Sequence, residues 1–239
     1  MASVAQPDSP LAPRFVAALR RAISTDRFAP FAVSSGQDAE LACRLYVWDV
    51  DLEASILRDI AIVEIALRNA LSHQLETALG PQWFNDQALQ RDHRLEDACN
   101  RAMDEITGSG KTATSGRMTA QLPLGFWANL LSSPSDPLWR SYLFRAFPGG
   151  KQQAKLSNKR YGRFWVHSQA RIVQVLRNRC AHHESLLNGF PLPGQSRRLS
   201  VADGIVGERV RKPRCVHRLP ATLDYCPTSA DRGPGQTVA

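Results

Sequence analysis

The strongest constraint on the fold is a run of apolar residues spaced by three and four: Leu52, Ile56, Ile60, Val63, Leu67, Leu71 and Leu75. That period places one continuous apolar stripe on a long helix. Asp49 or Asp51 is positioned to cap its start, and Gly80-Pro81 stops it. A stripe of this length must be buried against other elements, and with helical patterning nearly throughout and few strand signals the chain is expected to be all-α.

The remaining pattern agrees. Leu11 to Ile23 predicts a short helix, and Ala39 to Val47 another that ends near Trp48. Ala88 to Ile106 reads as a charged amphipathic helix, followed by a Gly/Ser/Thr-rich loop from Gly108 to Gly116. Met118 to Leu131 is predicted helical. Asp136-Pro137 marks a further start, with Leu138, Trp139, Leu143 and Phe147 directed to the core. Ser157 is the expected cap of a last long helix running to about Ala181. Trp127, Trp139, Phe147, Phe164 and Trp165 sit at helical spacing and are expected in the core. Strand signals are few, and Val201 to Val210 alternates only weakly. The organisation read from these signals is an N-terminal helical segment over 1–36, a helical domain over 37–188, and a Pro/Gly/Arg-rich, loosely ordered tail over 189–239.

No stretch of apolar residues is long enough to span a membrane, and Met1 to Pro13 lacks the pattern of a secretory signal. The cysteines at 43, 99, 180, 215 and 226 are odd in number and irregular in spacing, which argues against a disulfide framework and for a reducing cytoplasm. Cys215, His217 and Cys226 match no standard zinc spacing, so no metal or other cofactor is expected.

The net charge of +8 is concentrated. Between Pro137 and His183 there is no Asp or Glu, while Arg140, Arg145, Lys151, Lys155, Lys159, Arg160, Arg163, Arg171, Arg177 and Arg179 all fall there. Those ten cations exceed the whole surplus. A solvated basic face is one reading and a phosphate-binding surface the other; the missing acids favour the second. Lys155, Lys159, Arg160, Arg163, Arg171 and Arg179 are the candidate phosphate contacts, and Tyr161 among them is the candidate stacking platform for a base.

The block ends in Leu176-Arg177-Asn178-Arg179-Cys180-Ala181-His182-His183-Glu184. Arginine stays charged and donates two parallel hydrogen bonds to a phosphate, while histidine titrates near neutrality and can move the protons of phosphodiester cleavage. On an ideal helix, five residues separate two side chains by roughly 140°. Arg177 and His182 therefore converge only if the helix ends near Ala181 or if both line a cleft from different sides.

This string closely resembles the Arg-x4-His signature of the Abi-like (abortive infection) proteins of the HEPN superfamily. Val63-Glu64-Ile65-Ala66-Leu67-Arg68-Asn69 resembles that family's first core helix, and Leu124-Gly125-Phe126-Trp127, Leu138-Trp139 and Phe147 its middle segment. The resemblance spans roughly 37 to 188 and fades after Asn188, where the family pattern has more helix. It implies a HEPN-like helical bundle with extra helices. The implied activity is metal-independent endoribonuclease, leaving 2′,3′-cyclic phosphate and 5′-hydroxyl ends, in phage defence or as a toxin. Arg177 and His182 would be catalytic, shared across a homodimer groove, and an antitoxin or small RNA is a possible partner. A non-catalytic RNA-binding scaffold is the alternative.

Around the motif, Asn178 either orients the site or bonds backbone at the helix end, and His183 is expected to support His182. Cys180 is expected in the core. Glu64 and Arg68, four apart, either pair with each other or let Glu64 reach Arg177 or His182. Leu67-Arg68-Asn69 followed by His73 echoes the motif's spacing, as a half-site or by coincidence of helical composition.

Overall fold

The computed structural model describes residues 11–189. The expected tail and the Cys215, His217 and Cys226 set lie outside them. Among the described residues the fold is all-α, with ten helices, three short 3-10 turns and no strand. No helix among them is long and apolar enough to cross a membrane.

The axis of the molecule is α3, a single helix from Ala39–Leu79. Asp38 opens it, its carboxylate accepting the N–H groups of Glu40 and Leu41 at 2.9 and 3.0 Å. Gly80 closes it with φ 86. The sequence pattern divides this stretch near Trp48, but no Gly or Pro stands there to stop a helix. Asp49 is no cap; its side chain is buried.

Two apolar clusters flank α3. Toward its N-terminal end, Ala42, Cys43 and Leu45 pack with Phe28, Phe31 and Leu187. Phe28 and Phe31 come from α2 (Thr25–Ser34) and Leu187 from the segment after the last helix, while Val16 and Leu19 of α1 (Pro13–Ala22) pack against the cluster from outside. Helix α2 is absent from the sequence reading, because Pro30 inside it masks the pattern. Toward its C-terminal end, Leu71 and Leu75 join the larger cluster around Trp83, Phe126 and Trp127. The Trp127 ring meets Phe126 edge-on at 4.9 Å.

Several predicted helices are divided by local chemistry. The stretch from Ala88 splits into α4 (Gln87–Gln90) and α5 (His93–Gly108), because the buried Asp92 caps α5 through the Arg94 N–H. Met118 to Leu131 splits into α6 (Ser115–Gln121) and α7 (Leu124–Asn129) at Leu122-Pro123, where the ring of Pro123 denies a helical donor. Beyond α8 (Asp136–Ser141) a short helix α9 (Gly150–Leu156) appears, and Ser157 closes it rather than opening the next one. The last helix, α10, starts at Arg163 and runs to Ala181. Val166 and Ala170 near its start belong to the larger cluster, while the turn beyond its end reaches Asp49 and Glu53 of α3. The two helices therefore lie antiparallel, and α10 bridges the two cores.

Candidate active site

Helix α10 ends at the motif. Ala181 is its last residue, and the His182 N–H still bonds the Asn178 carbonyl at 3.0 Å. Then the His183 N–H bonds Cys180 O at 3.2 Å and the Glu184 N–H bonds Arg179 O at 2.9 Å. These are the two bonds of a Schellman stop. Its left-handed position, normally glycine, is filled by His183 at φ 52. An L-residue held there carries a backbone cost of roughly 1–2 kcal/mol.

Arg177, Asn178 and His182 are exposed. Among the described residues, the side chains of Arg177 and His182 make no hydrogen bond or ion pair. Arg177 continues the stripe of Val166, Ala170 and Val173, whereas Asn178 and His182 continue the stripe of Arg171 and Val175. The helix thus stops where the sequence argument requires, with the guanidinium and imidazole starting from different faces. Cys180 is fully buried and its thiol is pushed up to about 11, chiefly by burial. It belongs to the core, as expected.

The turn after the helix is bound residue by residue to its surroundings. Arg27 of α2 donates to the His182 carbonyl at 3.5 Å. His183 Nδ1 lies 3.2 Å from Glu53 Oε2, so His183 contacts α3 and not His182. Arg179 pairs with Glu184 at 3.1 Å and donates to Ser185 O at 3.4 Å. Asp49 Oδ1 accepts the Leu186 N–H at 3.1 Å, and Ser185 lines the same pocket beside that carboxylate. Asp49 and Glu53 are 2% and 4% exposed. Burial pushes both carboxyls above their ordinary values. Ser185 and Leu186 oppose this at Asp49, and His183 does so at Glu53. A cavity of roughly 250 Å³ opens beneath the turn, lined by Arg27, Phe31, Tyr46, Asp49, Glu53 and His183 among others.

The sequence reading passes over Asp49 and Glu53 as site residues. Their signal is an acidic pair, four apart, interrupting the apolar stripe of Ala42, Leu45, Ile56 and Ile60. It is easily mistaken for helix capping.

Glu64 pairs with Arg68, and Arg68 also donates to Ala120 O at 3.2 Å. The pair ties α3 to α6 and does not reach Arg177 or His182. In the echoed half-motif the His73 carbonyl accepts from the Thr77 hydroxyl, and among the described residues the His73 imidazole makes no hydrogen bond or ion pair.

The basic block divides. Lys155, Lys159 and Arg160 are exposed. Arg163 is spent inside the protein: it pairs with Asp136 at 2.9 Å and donates to Leu131 O at 3.1 Å, fastening the start of α10. Arg171 donates to Gln174 at 2.6 Å. Arg179 serves the turn. Tyr161 is half-buried between Trp139 and Trp165, at 6.1 and 6.3 Å between ring centres, and donates to Phe144 O at 3.3 Å. It packs as part of the core edge rather than standing free for a base. Phe164, expected in the core, is 79% exposed. His167 sits half-buried with its imidazole pKa lowered, first by burial and then by Arg171, Arg163 and Arg94.

Comparison with protein families matches the Abi-like protein model over residues 15–188. The chain belongs to the Abi-like protein family. The matched span takes in nearly all of α1, every helix after it and the whole motif turn. It begins inside the segment that the sequence pattern sets apart as 1–36. Comparison with curated proteins and with solved structures finds no match.

Proposed function

We propose that this Abi-like chain is a metal-independent endoribonuclease of the HEPN type, acting in the cytoplasm in phage defence or as a toxin, with residues 37–188 carrying the activity. The observation that carries the reading is the end of α10. There Arg177 in the last part of the helix and His182 at the start of a turn fixed to the protein body stand exposed and unbonded, at the end of a chain segment rich in cations.

In this reading the RNA 2′-hydroxyl loses its proton and its oxygen bonds phosphorus as the bond to the 5′-oxygen breaks. The products are a 2′,3′-cyclic phosphate and a 5′-hydroxyl. Arg177 balances charge building on the phosphate oxygens, and an imidazole takes or supplies a proton. The attacking and leaving oxygens lie on opposite sides of phosphorus, so one imidazole cannot serve both. A homodimer answers this: His182 of one chain and the partner's His182 face a shared groove, with Asn178 alongside. Lys155, Lys159 and Arg160 bind the flanking phosphates. The natural partners are RNA and, for control, an antitoxin or a small RNA.

The test is incubation of purified protein with RNA in excess EDTA. Cleavage that survives chelation and disappears in His182→Ala supports the proposal; cleavage unchanged in that variant ends it. The separate starting faces of Arg177 and His182 favour one other reading, an RNA-binding scaffold that does not cut. RNA left intact but bound tightly at low salt selects that reading.

A further inference from the structure

We propose that Asp49 and Glu53 are the positioning residues of His182, holding the turn that carries it in the one conformation that aims the imidazole. The inference rests on the ribonuclease reading above and adds to it two residues of a different helix.

Two carboxylates buried four residues apart on one helix are costly to desolvate and repel each other. Apolar side chains at these positions would serve stability at least as well. Their contacts explain their presence. Both of their side-chain hydrogen bonds go to one short segment: His183 to Glu53, and Leu186 to Asp49. Among the described residues, no side-chain hydrogen bond ties either carboxylate to its own helix. Arg27 and Arg179 complete the arrangement on the His182 carbonyl, Glu184 and Ser185.

From 182 to 186, each residue is therefore tied to the body by backbone or side chain. Among these described residues, the imidazole of His182 is the polar side chain left unbonded. Something must also hold His183 at φ 52, a conformation that glycine would adopt without help. Glu53 does so by gripping the ring. A strained, non-glycine helix stop beside a catalytic candidate is a place where stability has given way to placement. The rigid reference is α3, whose helical spacing sets both carboxylates on one face.

The experiment has two arms. In the first, RNA cleavage is measured for Asp49→Ala, Glu53→Ala, the isosteres Asp49→Asn and Glu53→Gln, and His183→Gly. A displacement of about 1 Å costs on the order of 100-fold in rate. The alanine variants and His183→Gly are therefore expected to lose about that factor in kcat, with KM for RNA within about twofold. Glu53→Gln, which still accepts from the His183 ring, should recover most of the rate. His183→Gly is the decisive variant: the relief of the left-handed stop offsets the lost bond to Glu53, so Tm should change little while kcat falls. A merely structural role predicts lost Tm with kcat per folded molecule intact, and that result overturns the proposal. So does a Gln variant as slow as Ala.

The second arm needs no activity. Amide hydrogen exchange at Leu186 should accelerate in Asp49→Ala and stay slow in Asp49→Asn. Unchanged protection in Asp49→Ala overturns the clamp whatever the protein does to RNA. A wild type that binds RNA without cutting it overturns the ribonuclease reading instead, and the clamp is then decided by the exchange data.

Discussion

Gly150, at the start of α9, is a sensitive probe of how Tyr161 is used. A Cβ at this position would lie 2.2 Å from Tyr161 Cε2, with Cζ and Cδ2 at 3.0 and 3.1 Å. To restore ordinary contact at 3.4 Å the ring must retreat by about 1.2 Å. Trp139 and Trp165 flank it, its hydroxyl is bonded to Phe144 O, and Trp139 is itself backed by Phe147 at 5.9 Å. Overpacking of this kind costs about 1–3 kcal/mol. Replacing glycine in a helix returns at most about 1 kcal/mol, and less in the first turn. Gly150→Ala should therefore lower stability by about 1–2 kcal/mol in urea unfolding. The control is its neighbour: a Cβ on Gly149 meets nothing within 4 Å, so Gly149→Ala should be close to neutral. On a Tyr161→Ala background the Gly150→Ala penalty should vanish, because the two sites share one contact. Equal stability of the two single variants would refute the packed position of Tyr161 and return it to the surface as a stacking platform.

Three further outcomes are expected. Replacing Lys155, Lys159 and Arg160 by Gln should each reduce the salt slope of single-stranded RNA binding by about 0.7, while Arg163→Gln leaves the slope unchanged and lowers Tm, since that guanidinium is engaged by Asp136 and Leu131 O. Burial raises the Asp49 carboxyl above its ordinary 3.8, so the folded chain keeps a proton there that the unfolded chain releases; this contribution to stability is fullest at low pH and fades as pH rises through the folded value. Asp49→Asn removes it, so urea melts should show the variant gaining on wild type as pH climbs above about 4, whereas Asp92 and Asp136, held low by Arg94 and Arg163, contribute in the opposite sense and lose stability on acidification. Brief alkylation at pH 8 followed by peptide mapping should leave Cys180 unmodified in the native protein, with its thiol pushed up to about 11 and fully covered, and label it only after unfolding.

The helical class and the apolar stripe from Leu52 to Leu75 could be read from spacing alone, although α3 runs unbroken from Ala39 and α10 starts at Arg163 rather than after Ser157. The breaks could not. Asp92 ends one helix and opens another only because it is buried and bonded to Arg94, and Asp49 looks like a cap until Leu186 is seen to lie against it. Likewise, the motif string located Arg177 and His182, but the chemistry around His182 comes from α2 and α3, some 130 to 155 positions away in the chain. Charge counting placed Arg163, Tyr161 and Arg179 among the RNA contacts. Composition does not show that an arginine's donors are already committed, as those of Arg163 and Arg179 are to Asp136 and Glu184.

Helix α10 is 19 residues long, which is about 28 Å. For a ribonuclease that grips phosphates just ahead of that helix, at Lys159 and Arg160, and cuts at its far end, this distance becomes a minimum substrate length. A stacked strand rises about 3.4 Å per nucleotide, so both ends are reached only by RNAs of about eight nucleotides or more. Shorter oligomers must choose between the grip and the cut.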